Sequence, residues 1–150
     1  MMAIILAGGV GKRLDDVSQK ISKAMLPILG VPMTARIIEQ IVAETPLRRF
    51  VIVVGKPDQD IVLWLRKNRP RGVEMAFVVQ PAPRGMADAL KRVAEEVGLE
   101  SDFLVAACDN LFQEGAVSKL YDTYCGGHFD GAICLLRMQK EQIAGKSAAV

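Results

Sequence analysis

The chain has 150 residues, 51% of them hydrophobic, which is enough apolar material for the core of one domain. Nineteen basic and 17 acidic side chains give a formal net charge of +2, which fits neither a disordered chain nor a nucleic-acid-binding protein. The apolar runs are far shorter than the roughly 20 residues that a membrane-spanning helix needs. We therefore expect a cytoplasmic protein with no membrane or nucleic-acid partner.

Short β-branched runs alternate with longer segments of helical period, a pattern typical of βα units around a mainly parallel sheet. Strands are predicted over residues 2–7, 50–55, 75–80, 102–107 and 131–136. Helices are predicted from Pro32 to about Ala43, over 58–67, from Ala87 to Val97 and over 115–124. Gly98 falls where a left-handed cap would end the third helix. The predicted fold class is a doubly wound, Rossmann-like α/β unit with helices on both faces of the sheet.

Residues 1–150 show no internal repeat or linker and are interpreted as a single domain. The last residues, from Gln142 to Val150, are typical of the start of a further element, which indicates a fragment of a longer protein. The cysteines form no C-x-x-C pair, so neither a disulfide framework nor a zinc site is expected. We predict that all three are reduced and that Cys108 is a small buried apolar residue.

The turns after the strands are where an open α/β sheet binds its ligands. The first strand leads into the sequence L-A-G-G-V-G-K-R-L over residues 6–14, in which glycines let the backbone approach a phosphate and Lys12 and Arg13 supply charge. The G-x-x-x-x-G-K-[ST] loop would need glycine at position 6 and a hydroxyl at 13, and the dinucleotide fingerprint would need a small residue at Leu14. By itself the loop is equally compatible with a flexible turn.

Two later turns carry polar side chains. Gln80 ends the third predicted strand with an amide that can donate to and accept from a base edge, and Gly85 leaves room for a planar ring. Asp109 follows the fourth predicted strand, where a carboxylate can hold Mg²⁺. A proline-spaced surface loop and a helix-capping aspartate are the alternatives at these two places. His128, in Gly126-Gly127-His128, is interpreted as a loop residue.

Taken together, these segments resemble the sugar-phosphate nucleotidylyltransferase family. The glycine loop is followed, ten positions after Arg13, by Lys23 within S-K-A-M-L-P-I. Residues 80–89 resemble the family's base-recognition segment Q-x-x-x-x-G-x-A-x-A, most of all in glucose-1-phosphate thymidylyltransferases, and residues 108–112 resemble its G-D-N-x-[IF] metal loop. Met86 stands where many relatives have threonine, and Cys108 stands where glycine is usual.

The resemblance implies a Mg²⁺-dependent reaction in which a sugar 1-phosphate attacks the α-phosphorus of a nucleoside triphosphate and releases pyrophosphate. It implies catalytic roles for Arg13, on the leaving pyrophosphate, and Lys23, on the α-phosphate, with Asp109 as metal ligand. The nucleotide-binding residues that it implies are Leu6, Ala7, Gly8, Gly9, Gly11, Lys12, Gln80 and Gly85. We expect dTTP or UTP to bind better than GTP.

In that family the sugar pocket and a second metal-binding aspartate lie beyond the last residue of this sequence. A regulatory or scaffolding subunit that binds a nucleotide without turnover is therefore a second hypothesis. A dehydrogenase-type dinucleotide domain is a third, which the failed fingerprint disfavours. Homo-oligomerisation is compatible with the sequence, and the sequence does not specify the sugar.

Overall fold

The computed structural model describes residues 1–9, 22–57 and 59–135. Six strands and four α-helices follow one another through these residues, with a short 3-10 helix over Lys23–Met25. The strands are β1 (Met2–Leu6), β2 (Pro27–Ile28), β3 (Val31–Pro32), β4 (Arg49–Val54), β5 (Glu74–Val79) and β6 (Phe103–Ala107). The helices are α1 (Met33–Glu44), α2 (Asp60–Lys67), α3 (Met86–Glu96) and α4 (Ala116–Gly126).

Four parallel strands form the main sheet in the order β5-β4-β1-β6. In the centre of the sheet Ile4 lies opposite Val51 on one side and Val105 on the other. The chain adds β4 and β5 on one side of β1 and then crosses to place β6 on the other side. This change of direction makes the crevice between β1 and β6 the topological switch point, where sheets of this kind bind ligands.

Alternate side chains of β1 enter two separate cores. Ala3 and Ile5 pack with buried residues of α1, α2 and α4, whereas Met2 and Ile4 pack with buried residues of α3. The sheet is thus covered on both faces, which explains why its strands are apolar almost throughout. The predicted doubly wound α/β fold is confirmed.

The predicted helices and the first four predicted strands agree with the structure to within two residues at each end. Gly98 has φ +85° and donates to the Val93 carbonyl, so the predicted C-terminal cap of α3 is confirmed. In the part of the chain that the structure describes, no helix is long and apolar enough to cross a membrane.

The strand predicted over residues 131–136 is wrong for its described part. Residues 131–135 form no strand and are exposed, and Leu136 lies outside the described residues. A strand exists only when its backbone pairs with a neighbour, and among the described residues β6 pairs with β1 alone. The segment therefore has the apolar composition of a strand, but no described strand pairs with it.

Sequence patterns also missed a small hairpin before α1. β2 and β3 pair antiparallel through a two-residue turn in which Leu29 has φ +50° and Gly30 has φ +78°. Positive φ at both central residues is the conformation of a type I′ turn. The strands are only two residues long, too short to produce a readable alternation of polar and apolar residues.

Candidate functional site

The turns that follow β1, β5 and β6 all begin at the carboxyl edge of the sheet. The residue after a strand still donates its amide N–H to the neighbouring strand in three cases: Ala7 to Val53 (2.8 Å), Gln80 to Val54 (2.8 Å) and Cys108 to Leu6 (3.1 Å). The turns therefore lie side by side, with Gln80 at one end, the glycine loop between, and Asp109 at the other end. Neighbouring strands lie about 4.8 Å apart, so about 14 Å separates the two ends.

Lys23 and Asp109 form an ion pair at the switch point. Lys23 Nζ lies 2.5 Å from Asp109 Oδ2, although 86 residues separate the two in sequence. The side chains remain 33% and 37% exposed, so both are accessible to a ligand. The structure thus brings together the residues predicted to contact the α-phosphate and the metal.

Two buried or half-buried side chains fix the turn that carries Lys23. Asp60, the first residue of α2, accepts hydrogen bonds from the Ser22 hydroxyl (2.6 Å) and the Ser22 amide (3.3 Å). The hydroxyl of Thr34, which is fully buried in α1, donates to the Ala24 carbonyl at 2.8 Å. Residues on both sides of Lys23 are therefore held by separate helices, and the ammonium group is presented from a fixed backbone.

The described part of the glycine loop lies close to the neighbouring turns. A Cβ added at Gly8 would come within 3.6 Å of Gln80 Oε1 and of the Gly55 amide nitrogen, which is ordinary van der Waals distance. A Cβ added at Gly9 would meet no described atom within 4 Å. Packing among the described residues therefore does not require glycine at position 9.

The remaining residues predicted for this loop divide into two groups. Leu6 ends β1 half-buried, and Ala7 is buried at the level of the sheet edge. Gly11, Lys12 and Arg13 lie outside the described residues, because the structure does not describe residues 10–21. Their proposed contacts with phosphate stay predictions from the sequence.

Gln80 is buried at the opposite end of the site, with its side-chain amide bonded inside the protein. Its Nε2 donates to the Gly85 carbonyl at 3.0 Å and to Asp88 Oδ2 at 2.7 Å. Gly85 has φ +96° and precedes α3 directly, so its backbone conformation already favours glycine. Met86 is 67% exposed beside it.

Sequence reasoning missed Gln59, which links the turns after β1 and β4. Its Oε1 accepts from the Gly55 amide at 2.9 Å and its Nε2 donates to the Ala7 carbonyl at 3.4 Å. Glutamine is an unusual residue directly before a helix, where Ser, Thr, Asp and Asn are preferred. That anomaly at the start of α2 was the one available signal that this side chain has another task.

The loop that follows Asp109 is held by the end of α1. The carboxylate of Glu44 accepts from the amides of Gly115, Val117 and Ser118 and so caps α4. Burial raises the pKa of Glu44, but hydrogen bonds from Gln40 and from these three amides outweigh it, so the pKa lies below its ordinary value. The cap fixes α4 and with it the C-terminal end of the Asp109 loop.

Asp109 is one carboxylate, and the described residues contain no cluster of three or more His, Cys, Asp or Glu side chains that could hold a metal. Mg²⁺ is commonly bound by one or two carboxylates, with substrate phosphates and water as the other oxygen ligands. The donor at Asp109 fits that mode of binding. Its present counter-ion is the Lys23 ammonium.

An open groove of about 940 Å³ begins at Asp109, on the side away from Gln80. It is lined by residues 109–116, by Lys119, Leu120 and Thr123 of α4, and by residues 132–135. Among the residues that the structure describes, Asp109 of the ion pair therefore borders this groove.

Cys108 and His128 take no part in the described site. Cys108 is buried, which confirms the prediction of a small buried residue, and burial together with the charge of Asp109 raises the pKa of its thiol to about 11. All three cysteines are free, as predicted. His128 is an exposed loop residue.

The model of the nucleotidyl transferase family matches residues 2–141. The chain belongs to this family. It is 28% identical over 146 residues to the low-salt glycan biosynthesis nucleotidyltransferase Agl11 of Haloferax volcanii, and 30% identical over 112 residues to a glucose-1-phosphate thymidylyltransferase of Neisseria meningitidis. These alignments cover 97% and 75% of this chain.

Solved structures agree with the family assignment. A crystal structure from Bacillus anthracis, described as a glucose-1-phosphate thymidylyltransferase, superposes with a TM-score of 0.74 over 84% of this chain at 27% identity. The match covers 50% of that protein, and the matches above cover 40% and 38% of theirs. This nucleotidyltransferase chain thus spans about half, or less, of the length of its relatives.

Proposed function

We propose that the chain is the nucleotide-binding part of a sugar 1-phosphate nucleotidylyltransferase that uses dTTP or UTP. The observation that carries the proposal is the order of groups along the sheet edge: a buried amide at Gln80, the start of the glycine loop at Gly8 and Gly9, and then the Lys23–Asp109 pair. About 14 Å, the distance across three strand spacings, is long enough for a base at one end and a triphosphate at the other. The relatives named for sugar-phosphate nucleotidyl transfer support the same substrate class.

Nucleotidyl transfer to a sugar 1-phosphate does not depend on a side chain that acts as a base. The attacking oxygen belongs to a phosphate that is already ionised at neutral pH, so no general base is needed. Positioning and charge then account for catalysis. Lys23 neutralises charge at the α-phosphate, and Arg13 holds the leaving pyrophosphate.

Asp109 is the residue that would hold Mg²⁺, with phosphate oxygens as further ligands. When bound, this ion supplies neutralisation of the triphosphate charge. In the structure, the counter-ion of this carboxylate is the ammonium group of Lys23.

Calorimetric titration of residues 1–150 tests the proposal. We expect dTTP and UTP to bind better than GTP, and NADH not to bind. Mg²⁺ should strengthen dTTP binding by about tenfold, or 1.4 kcal/mol, in the unaltered chain. Asp109→Asn should remove most of that gain while weakening metal-free binding less, and Asp122→Asn on the exposed side of α4 serves as the matched control.

The same chain should release negligible pyrophosphate with any sugar 1-phosphate, because it covers 38–40% of the curated relatives above and the attacking phosphate would lack groups that orient it. Strong release by residues 1–150 would show that these residues build the sugar site. Binding without release in the full-length protein would favour the regulatory subunit. Tighter binding of GTP would contradict the base assignment, and an unchanged Mg²⁺ effect in Asp109→Asn would contradict the metal role.

A further inference from the structure

The amide orientation of Gln80 is dictated by its neighbours. Its two hydrogen-bond partners are the Gly85 carbonyl and the Asp88 carboxylate, at 3.0 and 2.7 Å. Both partners can only accept hydrogen bonds, so the NH₂ end of the amide must face them. Each of the two N–H groups has one acceptor, and the amide nitrogen has no further hydrogen to offer a ligand.

The other end of the amide faces the glycine loop. Gln80 Oε1 lies 3.6 Å from the position that a Cβ on Gly8 would occupy. A carbonyl oxygen can only accept. The structure therefore corrects the expectation that this amide both donates to and accepts from a base, because only the acceptor is left for the site.

Asp88 is the residue that makes the orientation one-sided. It sits on the first turn of α3, and Arg92 one turn later pairs with the same oxygen, Oδ2, at 3.4 Å. The hydrogen bond from Gln80 lowers the pKa of Asp88, and the charge of Arg92 acts in the same direction against the opposing effect of burial. An ionised carboxylate stays an acceptor, which keeps the amide from turning over.

We propose that Asp88 is a specificity-determining positioning residue that, by orienting Gln80, selects a nucleobase presenting an imide N–H. Uracil and thymine carry such a donor at N3, whereas cytosine has an acceptor there. The inference rests on the proposed function, since it places the base of the nucleotide at Gln80. In this role Asp88 acts through Gln80 and does not need to contact the nucleotide itself.

Competition binding with UTP, CTP and N3-methyl-UTP tests the inference. The unaltered chain should bind UTP at least about tenfold better than either competitor, as expected when one hydrogen-bonding group in a buried site is left unmatched. Asp88→Ala removes this acceptor, so one N–H group of Gln80 loses its partner and the amide is free to turn over. In this variant the UTP to CTP ratio should fall by about fivefold or more. Glu95→Ala removes a carboxylate from an exposed ion pair with Lys91 on the same helix and should leave the ratio unchanged.

The outcomes separate this inference from the proposed function. If the unaltered chain binds UTP but binds N3-methyl-UTP equally well, Gln80 does not accept from the imide N–H and the inference is wrong. If Asp88→Ala keeps the UTP to CTP ratio, the role of Asp88 is wrong. In both cases the nucleotide site stands. If no nucleoside triphosphate binds, both proposals fail together. The N3-methyl-UTP comparison needs no substitution, so it can still contradict the inference even if Asp88→Ala does not fold.

Discussion

At the scale of single residues, a fully buried polar side chain helps to position the site. Thr34 is fully buried, and its hydroxyl satisfies the Ala24 carbonyl next to Lys23. Leaving a buried carbonyl without a partner costs more free energy than an average hydrogen bond contributes, because the group is desolvated without compensation. The position of Lys23 therefore depends on a buried helix residue that contacts the neighbouring backbone.

We predict that Thr34→Val lowers the free energy of unfolding by about 1–3 kcal/mol, since valine matches the shape of threonine and removes the donor. Urea unfolding followed by circular dichroism measures this difference. Thr123→Val makes the same change at an exposed position of α4 and should alter stability by less than about 0.5 kcal/mol. Equal stability of the two variants would show that the Ala24 carbonyl finds another donor.

At the scale of secondary-structure elements, the N-terminus of α4 is capped by a side chain of α1 and not by a residue next to α4 in sequence. The residue before α4 is Gly115, which has no side chain to cap the helix, and Glu44 from the end of α1 binds the free amides instead. A carboxylate at a helix N-terminus also interacts favourably with the helix dipole. The contact orders the segment between Asp109 and α4 through a residue 65 positions earlier in sequence than Asp109.

We predict that Glu44→Gln destabilises the fold by about 1–2 kcal/mol at pH 7, the usual cost of losing a good helix cap. The pKa of Glu44 is lowered from 4.5 in the folded state, so its carboxylate contributes stability above the unfolded pKa and loses that contribution as pH falls through the folded pKa. The stability gap between the two proteins should accordingly shrink below about pH 4.5.

Denaturant unfolding at pH 7 and at pH 3 measures this change. Glu39→Gln is the matched control, because Glu39 lies on α1 in an exposed pair with Arg36 and should cost no more than about 0.5 kcal/mol. A gap that stays constant between the two pH values would contradict the charged cap.

At the scale of the whole molecule, the two cores on either side of the sheet determine which groups solvent can reach. Cys108 directly follows β6, donates its amide to β1 and is 4% exposed, whereas Cys125 and Cys134 are exposed. Burial raises the pKa of the Cys108 thiol to about 11, so at pH 8 it carries little of the thiolate that reacts with disulfide reagents.

We predict that a thiol reagent at pH 8 modifies two cysteines of the native protein rapidly and the third only after unfolding. Absorbance of the released chromophore counts the modified thiols. A Cys125→Ser, Cys134→Ser double variant keeps Cys108 alone, and its slow modification should accelerate in urea as the edge of the sheet opens. Rapid modification of this variant in buffer would mean that the β1–β6 edge opens readily in the native state.

Hydrophobic pattern and punctuation alone determined most of the fold. Apolar runs bounded by glycine and proline located β1, β4, β5 and β6, and helical spacing located the four helices, because burial on both faces of a parallel sheet imposes those patterns on the sequence itself. The sequence also named Gln80 and Asp109, since side chains at the carboxyl ends of parallel strands must share one edge of the sheet. The family resemblance named Lys23.

Only the tertiary structure decided what those residues contact. Local patterns leave the turns independent, because hydrogen bonds between turns depend on how the strands are ordered in space. The structure adds the ion pair of Lys23 with Asp109 and the two hydrogen bonds of Gln59. It also shows the hydrogen bond from Gln80 to Asp88, which depends on how α3 lies beside the end of β5. The same dependence overturned the strand predicted at 131–136, since an apolar segment becomes a strand only when a partner edge accepts it.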